Sequence, residues 1–448
     1  MSTQTADPTH PHRVSPYAWW VMVVLSMAML VSYVDRQIIA LLVEPMKDDL
    51  GYTDTQTGFL YAGFAIFYAA AGIPIAWLVD RKSRRGIVAW GVFLWSLATM
   101  VCGLVKGYWA LFAARIGVGV GEATLTPATF SMVGDLFPRE RIPMAMSIYQ
   151  IGAIVGTGLA FLAGGYVVSW VRHAPPVDLP LIGEIFSWQL TFIYVAAPGL
   201  LVLLLFLTIR EPIRTQTKQI EGAAKKGSWD QVWEFYRENW TALSRHHIGY
   251  MFLILLGYAF VFWTPSFFER VHGVPAEEAS KIYGAIFIFF GGGGALFAGW
   301  FAERLVRKGK PDGTLLAALI GASLFVPVVV IIQFVPDVMW VYALYIPALF
   351  LMNTPYGLGQ AALVQITPPD IRGRVAAIYT IMGACGNALG PPIAGFLNDA
   401  VFPEQEGVSS SLMTMCVFFG VIGVSIVWSS RKAFRVSLAR AQAMDGVS

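Results

Sequence analysis

The sequence predicts an all-α integral membrane protein, with twelve transmembrane helices in two pseudo-symmetric six-helix bundles. Three observations predict it. Apolar windows of about 20 residues or more, the length that crosses a bilayer, recur twelve times along the chain. Lys and Arg crowd the connections on one side only. The second half of the chain also echoes the first at a constant offset. Composition agrees: 56% of residues are hydrophobic and 13% charged, against about 25% charged in ordinary globular domains.

In order, the windows cover 17–43, 54–79, 86–105, 108–136, 142–171, 187–209, 246–268, 277–302, 313–334, 338–363, 373–400 and 410–429. The only long polar connection follows the sixth. The chain therefore divides into a tail (1–16), a first bundle (17–209), a central loop (210–245), a second bundle (246–430) and a second tail (431–448). Within the loop Trp229, Val232, Trp233, Tyr236 and Trp240 recur at helical spacing, with Asp230, Glu234, Arg237 and Glu238 between them. That pattern predicts an amphipathic helix lying on the inner membrane surface.

Orientation follows from the basic residues. With both termini cytoplasmic, only Lys47, Lys106, Arg172, Arg270 and Lys281 fall outside, and Arg36 and Arg115 lie within the membrane. All other Lys and Arg residues fall inside, as the positive-inside rule requires. The net charge of +3 is that bias, and no nucleic-acid partner is expected. No cleavable signal peptide is expected, because the first 16 residues are polar and the first apolar run is too long for an h-region. Cys102, Cys385 and Cys416 fall in separate windows and read as packing residues, with neither disulfide nor metal spacing.

A shift of 230 residues lays Pro138 on Pro368, Glu140 on Asp370, Ile148-Tyr149 on Ile378-Tyr379, Gly156 on Gly386, Leu159 on Leu389 and Gly165 on Gly395, without a gap. A looser echo joins GIPIAWLVDRKSRR (72–85) to ALFAGWFAERLVRK (295–308). Duplicated units of this kind are the architecture of secondary transporters, whose two halves rock about a central site.

GIPIAWLVDRKSRR, with Asp80-Arg81 and Arg84-Arg85 between helices 2 and 3, resembles the loop signature of the major facilitator superfamily, with Ser83 where a glycine is usual. RIGVGVGEA (115–123) resembles that superfamily's fourth-helix motif. SYVDRQ (32–37), GVGEATLTPATFSMVGDLFP (119–138) and Asp54-Thr55-Gln56-Thr57-Gly58 resemble the spinster branch, whose known members move lysolipids and sphingoid phosphates. The organic anion:cation symporter branch shares the Asp-Arg pair of helix 1 and the Glu-Pro pattern of helix 4. Asp135 in DLFP favours spinster.

The resemblance implies secondary active transport by alternating access, with helices 1 and 4 lining the cavity of the first half. It also implies an inner gate, in which the loop carrying Asp80, Arg81, Arg84 and Arg85 meets the start of helix 11 near Arg372. A topology anchor is the plainer reading of those arginines.

Four charges lie at membrane depth: Asp35 and Arg36 in the first window, Arg115 and Glu122 in the fourth. Such charges need partners and mark functional sites by default, although an ion pair kept only for packing remains open. Arg115 and Glu122 are two helical turns apart, about 10 Å along the axis, too far to pair directly. The expected network joins Arg36 to Glu122 and Asp35 to Arg115. Glu122 and Asp35 are the proton-coupling candidates, because moving an arginine changes how readily a buried carboxylate takes a proton. Arg36 and Arg115 are candidate contacts for a substrate anion.

The second half offers no matching charge, since Glu122 falls on Met352 under the shift. Its cavity candidates are Asn353, Tyr356, Gln360, Tyr379, Thr380 and Asn387, with Tyr258, Phe262 and Trp263 on helix 7; Tyr149 joins Tyr379 as a candidate contact. One charged and one aromatic, neutral wall suit a ligand with an anionic head and an apolar tail.

Gly291–Gly294 is no phosphate cradle, because no GK[ST] follows. His173 and Asp178 have an acyltransferase spacing without an accompanying motif, and no nucleophile elbow is present. The expectations are therefore a monomeric, proton-linked, non-enzymatic transporter of an anionic amphiphile in a bacterial inner membrane, without cofactor or metal. A symporter of small organic anions and a non-transporting sensor of the same fold are the alternatives.

Overall fold

The computed structural model describes residues 14–138, 141–172, 177–179, 183–214, 229–368, 370–404 and 406–445. His173 and residues 215–228 of the central loop lie outside them. Helices occupy all twelve windows, and among the described residues ten helices are long and apolar enough to cross a membrane.

The first span, Pro16–Gln37, starts with Ser15 accepting from the Ala18 N–H and Pro16 at the first position, then tightens into a 3₁₀ turn over Ile38–Leu41. A short helix, Val43–Leu50, ends at Gly51 with φ +65°. The second span, Asp54–Arg81, opens with a Thr53/Gln56 capping box. The third is Arg84–Cys102, the fifth Ile142–Arg172 and the sixth Ser187–Thr208. A small antiparallel hairpin, Val177–Leu179 with Gly183–Ile185, sits in the loop between the fifth and sixth. The seventh is Trp240–His272, the ninth Gly313–Ile332 and the eleventh Arg372–Phe396. The eighth and twelfth each contain a π turn, at Phe287–Gly291 and Cys416–Gly420.

The fourth and tenth windows are not the continuous helices the apolar runs predict. The fourth is Tyr108–Glu122 followed by Leu125–Leu136, and the tenth is Val338–Met352 followed by Thr354–Ile366. The 230-residue shift superposes the two breaks. Thr124 Oγ1 donates to the Gly121 carbonyl at 2.8 Å, and Thr354 Oγ1 to the Leu351 carbonyl at 2.7 Å. Each hydroxyl fills a notch left by a glycine on the neighbouring span. A Cβ on Gly91 would fall 1.9 Å from Thr124 Oγ1, and one on Gly321 1.7 Å from Thr354 Oγ1. Back-bonding hydroxyls of this kind bend helices.

The first span packs on the fifth and the seventh on the eleventh, equivalent pairs in the two halves. Between halves, the second span packs on the eleventh and the fifth on the eighth. The second tail is not separate: the twelfth-span helix runs to Asp445. In the central loop the amphipathic helix covers Trp229–Glu238. Val232, Phe235 and Tyr236 are buried, while Trp229, Trp233 and Trp240 are exposed.

Candidate functional site

The four intramembrane charges converge between the first and fourth spans. Arg36 Nε donates to Glu122 Oε2 at 2.6 Å, and Ser32 Oγ donates to the same oxygen at 2.7 Å. Ser32 and Arg36 are four residues apart, so one helix face presents both donors. The guanidinium lies over three rings, 4.5 Å from the Tyr68 centroid, 4.7 Å from Tyr33 and 5.2 Å from Phe64. Cation–π attraction strengthens away from water, so the cage holds Arg36 without neutralising it. Tyr68 shares Thr126 Oγ1 with Tyr149, at 3.2 and 3.3 Å, which carries the network to the fifth span.

The expected Asp35–Arg115 ion pair is not made. Arg115 Nη1 donates instead to the Asp35 backbone carbonyl at 3.1 Å, and its Nε and Nη2 have no hydrogen-bond partner. The Asp35 carboxylate accepts from Thr99 Oγ1 at 3.3 Å, while its Oδ1 has none. The unwinding of the first helix into the 3₁₀ turn directly after Gln37 leaves carbonyls near Asp35 without helical partners, and Arg115 takes one of them.

A cavity of about 340 Å³ lies beside this network. Its polar walls come from Gln37, Gln150, Thr157 and Asn353, its aromatic walls from Tyr33, Tyr258, Phe287 and Tyr356. Gly257 makes room for the Tyr356 hydroxyl, which a Cβ there would meet at 2.0 Å. Tyr33 and Gln37 bracket Arg36 on the helix, so the guanidinium sits one step round from the cavity wall, behind the Tyr33 ring.

The hydrogen bonds and ion pairs joining the halves, among the described residues, gather at the end away from the termini. Arg270 grips Asp54 through two nitrogens, at 2.5 and 2.9 Å, and Glu44 at 2.9 Å. Lys47 also pairs with Asp54, and Asn398 Nδ2 donates to it at 2.8 Å. Asp399 caps the second span from the other half, accepting from the Asp54 N–H at 3.2 Å and from the Thr55 N–H and hydroxyl at 2.7 and 2.6 Å. A second bridge, Arg172 to Glu277 at 2.7 Å, ties the fifth span to the eighth. Gly58 lets Pro391 and Pro392 of the eleventh span lie against the second span's backbone.

The Major Facilitator Superfamily family model matches residues 25–363. The chain belongs to that superfamily. Its fold is that of a bacterial homologue of the human lysosomal transporter spinster, solved in an inward-facing and unoccupied conformation. The TM-score is 0.81 and the identity 25%, over 94% of this chain and 98% of that one. An MFS-type efflux pump of Mycolicibacterium smegmatis is 25% identical over 96% of each chain. A D-galactonate transporter of Escherichia coli is 24% identical over 84% of this chain and 88% of its own. These relatives are transporters, and this chain is a secondary transporter of the superfamily, not an enzyme.

In this superfamily member, the residues expected to form a gate at the terminal end do not meet. Asp80 is exposed, and its carboxylate has no ion pair among the described residues. Its backbone carbonyl instead accepts from Arg214. Arg372 donates to the Thr367 carbonyl at 3.2 Å within its own half. Arg81 lies 3.9 Å from the Trp77 ring centroid. Arg84 is fully buried, paired with Asp135 and, at 2.8 Å, with Glu211, and Arg85 donates to the Leu207 carbonyl at 3.0 Å. Burial alone would raise the Glu211 carboxyl. The Arg84 side chain, the Arg85 N–H and the Ser83 hydroxyl outweigh it and hold the group below the usual carboxylate range. Arg84 and Arg85 thus clamp the sixth span's exit to the third.

Two further sequence candidates sit away from the cavity. Trp263 is buried, with Nε1 donating to the Pro391 carbonyl at 3.0 Å, so its ring cements the seventh span to the eleventh. Tyr379 packs against His246, His247 and Tyr250. In that cluster His247 Nε2 lies 2.9 Å from the Tyr236 hydroxyl and His246 Nε2 lies 3.1 Å from the Gly359 carbonyl. Asn353 and Tyr356 do line the cavity. Sequence reasoning passed over the opposite-end cluster: Arg172 and Arg270 registered there only as outside charges, although a lone outside arginine was a signal that a carboxylate stood near it.

Proposed function

We propose that the two bundles, 17–209 and 246–430, alternate access to this cavity and carry an anionic amphiphile, such as a lysophospholipid or sphingoid phosphate, in exchange with or alongside protons. The single observation that supports it is the Arg36–Glu122–Ser32 triad, buried beside a cavity with one polar and one aromatic wall. An anionic headgroup reaching past Tyr33 competes with Glu122 for Arg36. Once Arg36 moves, Glu122 keeps only Ser32, and a buried carboxylate without its cation takes up a proton. Asp35, with one oxygen unpartnered, is the second proton site, and Arg115 is the second cation. The arginine-rich end faces the cytoplasm of a bacterial inner membrane with both termini inside, so the cavity is closed to the outside by the Asp54–Arg270 cluster. The Asp80 loop and Arg372 close the inner side only when that cluster opens. The unit is a monomer.

A second reading has its own support. A volume of about 340 Å³ is near the lower end for ligand sites, fitting a headgroup or a sugar acid while leaving a long tail outside. The amide-rich lining and the D-galactonate relative favour a small organic anion. The test is the purified protein in vesicles containing a pH-sensitive dye, offered lysophospholipids, sphingoid phosphates and D-galactonate in turn. Lipid-driven proton movement that Glu122→Gln abolishes is the expected result. Movement driven by D-galactonate alone would select the second reading. Lipid uptake with the same pH dependence in Glu122→Gln would remove Glu122 from coupling.

A further inference from the structure

A second cavity, about 450 Å³, opens at the terminal end, between the loop helix with the start of the seventh span and the C-terminal extension of the twelfth. Two rows of cations face it. Arg237, at the end of the loop helix, and Arg245, near the start of the seventh span, stand on one side, and Lys432 and Arg440, both on the C-terminal helix, stand on the other. Among the described residues none of the four has an ion pair. The contrast on the same helix is sharp: Arg431 and Arg435, on the next face round, both engage Asp312, at 2.7 and 3.0 Å. Among the described residues Glu238 is the only acidic one lining the groove.

The rows are built, not splayed. Arg245 Nη1 donates to the Ser429 carbonyl at 3.0 Å and Arg440 Nη1 to the Glu238 carbonyl at 3.4 Å, each reaching across to the other row. Ser437 Oγ donates to Asn239 Oδ1 at 2.5 Å at the groove floor. Trp240, on the rim, is 62% exposed. An exposed indole at the start of a spanning helix marks the headgroup level of a bilayer. Unpaired guanidinium groups at that depth match a phosphodiester, which accepts two parallel N–H bonds.

We propose that this groove binds the phosphate-bearing headgroup of an anionic phospholipid from the leaflet on the basic side, with Arg237, Arg245, Lys432 and Arg440 as its cations and Trp240 at the acyl boundary. The site lies apart from the transport cavity and does not depend on which substrate that cavity takes. A bound lipid bridges the central loop helix to the C-terminal helix, the two elements that otherwise meet through few polar contacts.

The test is native mass spectrometry of the full-length protein in detergent, titrated separately with phosphatidylglycerol, phosphatidylcholine and glycerol 3-phosphate. The expected result is preferential retention of phosphatidylglycerol. Lys432→Gln with Arg440→Gln should weaken it about thirtyfold, the factor for removing two cations at a lipid surface. Arg237→Gln, on the other row, should weaken it about fivefold on the same scale. The control, Lys308→Gln with Lys310→Gln, removes the same charge from the same end and should leave binding unchanged. Equal retention of the two lipids, or equal weakening by control and groove variants, would overturn the proposal. Displacement of phosphatidylglycerol by equimolar glycerol 3-phosphate would also overturn it, reassigning the groove to a soluble phosphate.

Discussion

Asp54→Asn should open the end of the transporter that this structure holds closed. Asp54 accepts from Arg270 twice, from Lys47 and from Asn398, and its side chain is 2% exposed. The amide keeps the shape but removes the charge. Charge-assisted bonds contribute about 1.5–3 kcal/mol each, about twice a neutral one. Weakening the two bonds to Arg270 therefore costs about 2 kcal/mol, with the Lys47 contribution smaller because that amine is nearer water. The open state separates Asp54 from Arg270 and hydrates both, so nearly all of the difference falls on the closed state and shifts the equilibrium. About 2 kcal/mol is about thirtyfold, enough to raise an open state from about 1% to about a quarter of molecules.

Electron–electron distance measurements between nitroxides at Asp48→Cys and Glu404→Cys, both exposed positions at that end, read the change on a background without Cys102, Cys385 and Cys416. The substitution should add a longer-distance population. Asp399→Asn should add a smaller one, because it loses a helix cap valued at about 1 kcal/mol. Asp337→Asn is the control: it caps the tenth span at the same end, by accepting from the Met339 N–H at 2.8 Å within its own half. An unchanged distribution in Asp54→Asn, or an equal change in Asp337→Asn, would refute the assignment of this cluster as the lock.

Two further outcomes follow from the geometry. Gly321→Ala should destabilise the protein by about 1–3 kcal/mol, as overpacked sites do, measured by thermal unfolding in detergent. Adding Thr354→Ala should recover only part of that loss, because the clashes with Oγ1 and Cγ2 go while the 2.8 Å approach to the Thr354 Cβ stays. Asp312→Asn should flatten the acid limb of stability. Burial would raise the Asp312 carboxyl, but hydrogen bonds from Arg431 and Arg435 prevail and hold it below its usual value. A carboxyl depressed in the folded state stabilises at full strength above the unfolded value of about 3.9. That stabilisation fades as pH falls through the lower folded value, so wild-type and variant unfolding temperatures should converge below about pH 4. A constant gap down to pH 2 would count against it.

What could be read from the sequence was what period and charge encode. The windows, the 230-residue duplication and the Arg36–Glu122 pairing all follow from spacing, because a helix face and a buried charge leave few ways to be satisfied. The Asp35–Arg115 pair failed for a local reason: Arg115 found a backbone carbonyl first, and the turn beside it, Ile38–Leu41, is built of ordinary aliphatics that give no sign of it. Of the Asp54–Arg270–Asp399 cluster the sequence offered only an outside arginine, and not its partners, because the members are distant in sequence. Trp263 and Tyr379 illustrate the limit for aromatics, whose occurrence on a membrane helix does not say which face they take.

The duplicated breaks explain how one scaffold can hold a charged and a neutral wall. Glu122 and Met352 are the residues immediately before the two breaks, and the 230-residue shift superposes them. The threonine–glycine notch that follows each is the same in both halves. Geometry is therefore repeated while chemistry is not. In the first half the bend sets a carboxylate against Ser32 and Arg36; in the second it sets a thioether on the cavity wall, next to Asn353. Each half thus breaks its span at the same point, with a threonine hydroxyl taking the freed carbonyl. Only one of those points carries charge, so a movement of the first half alters the pairing of Glu122, whereas the same movement of the second alters only the shape of the cavity.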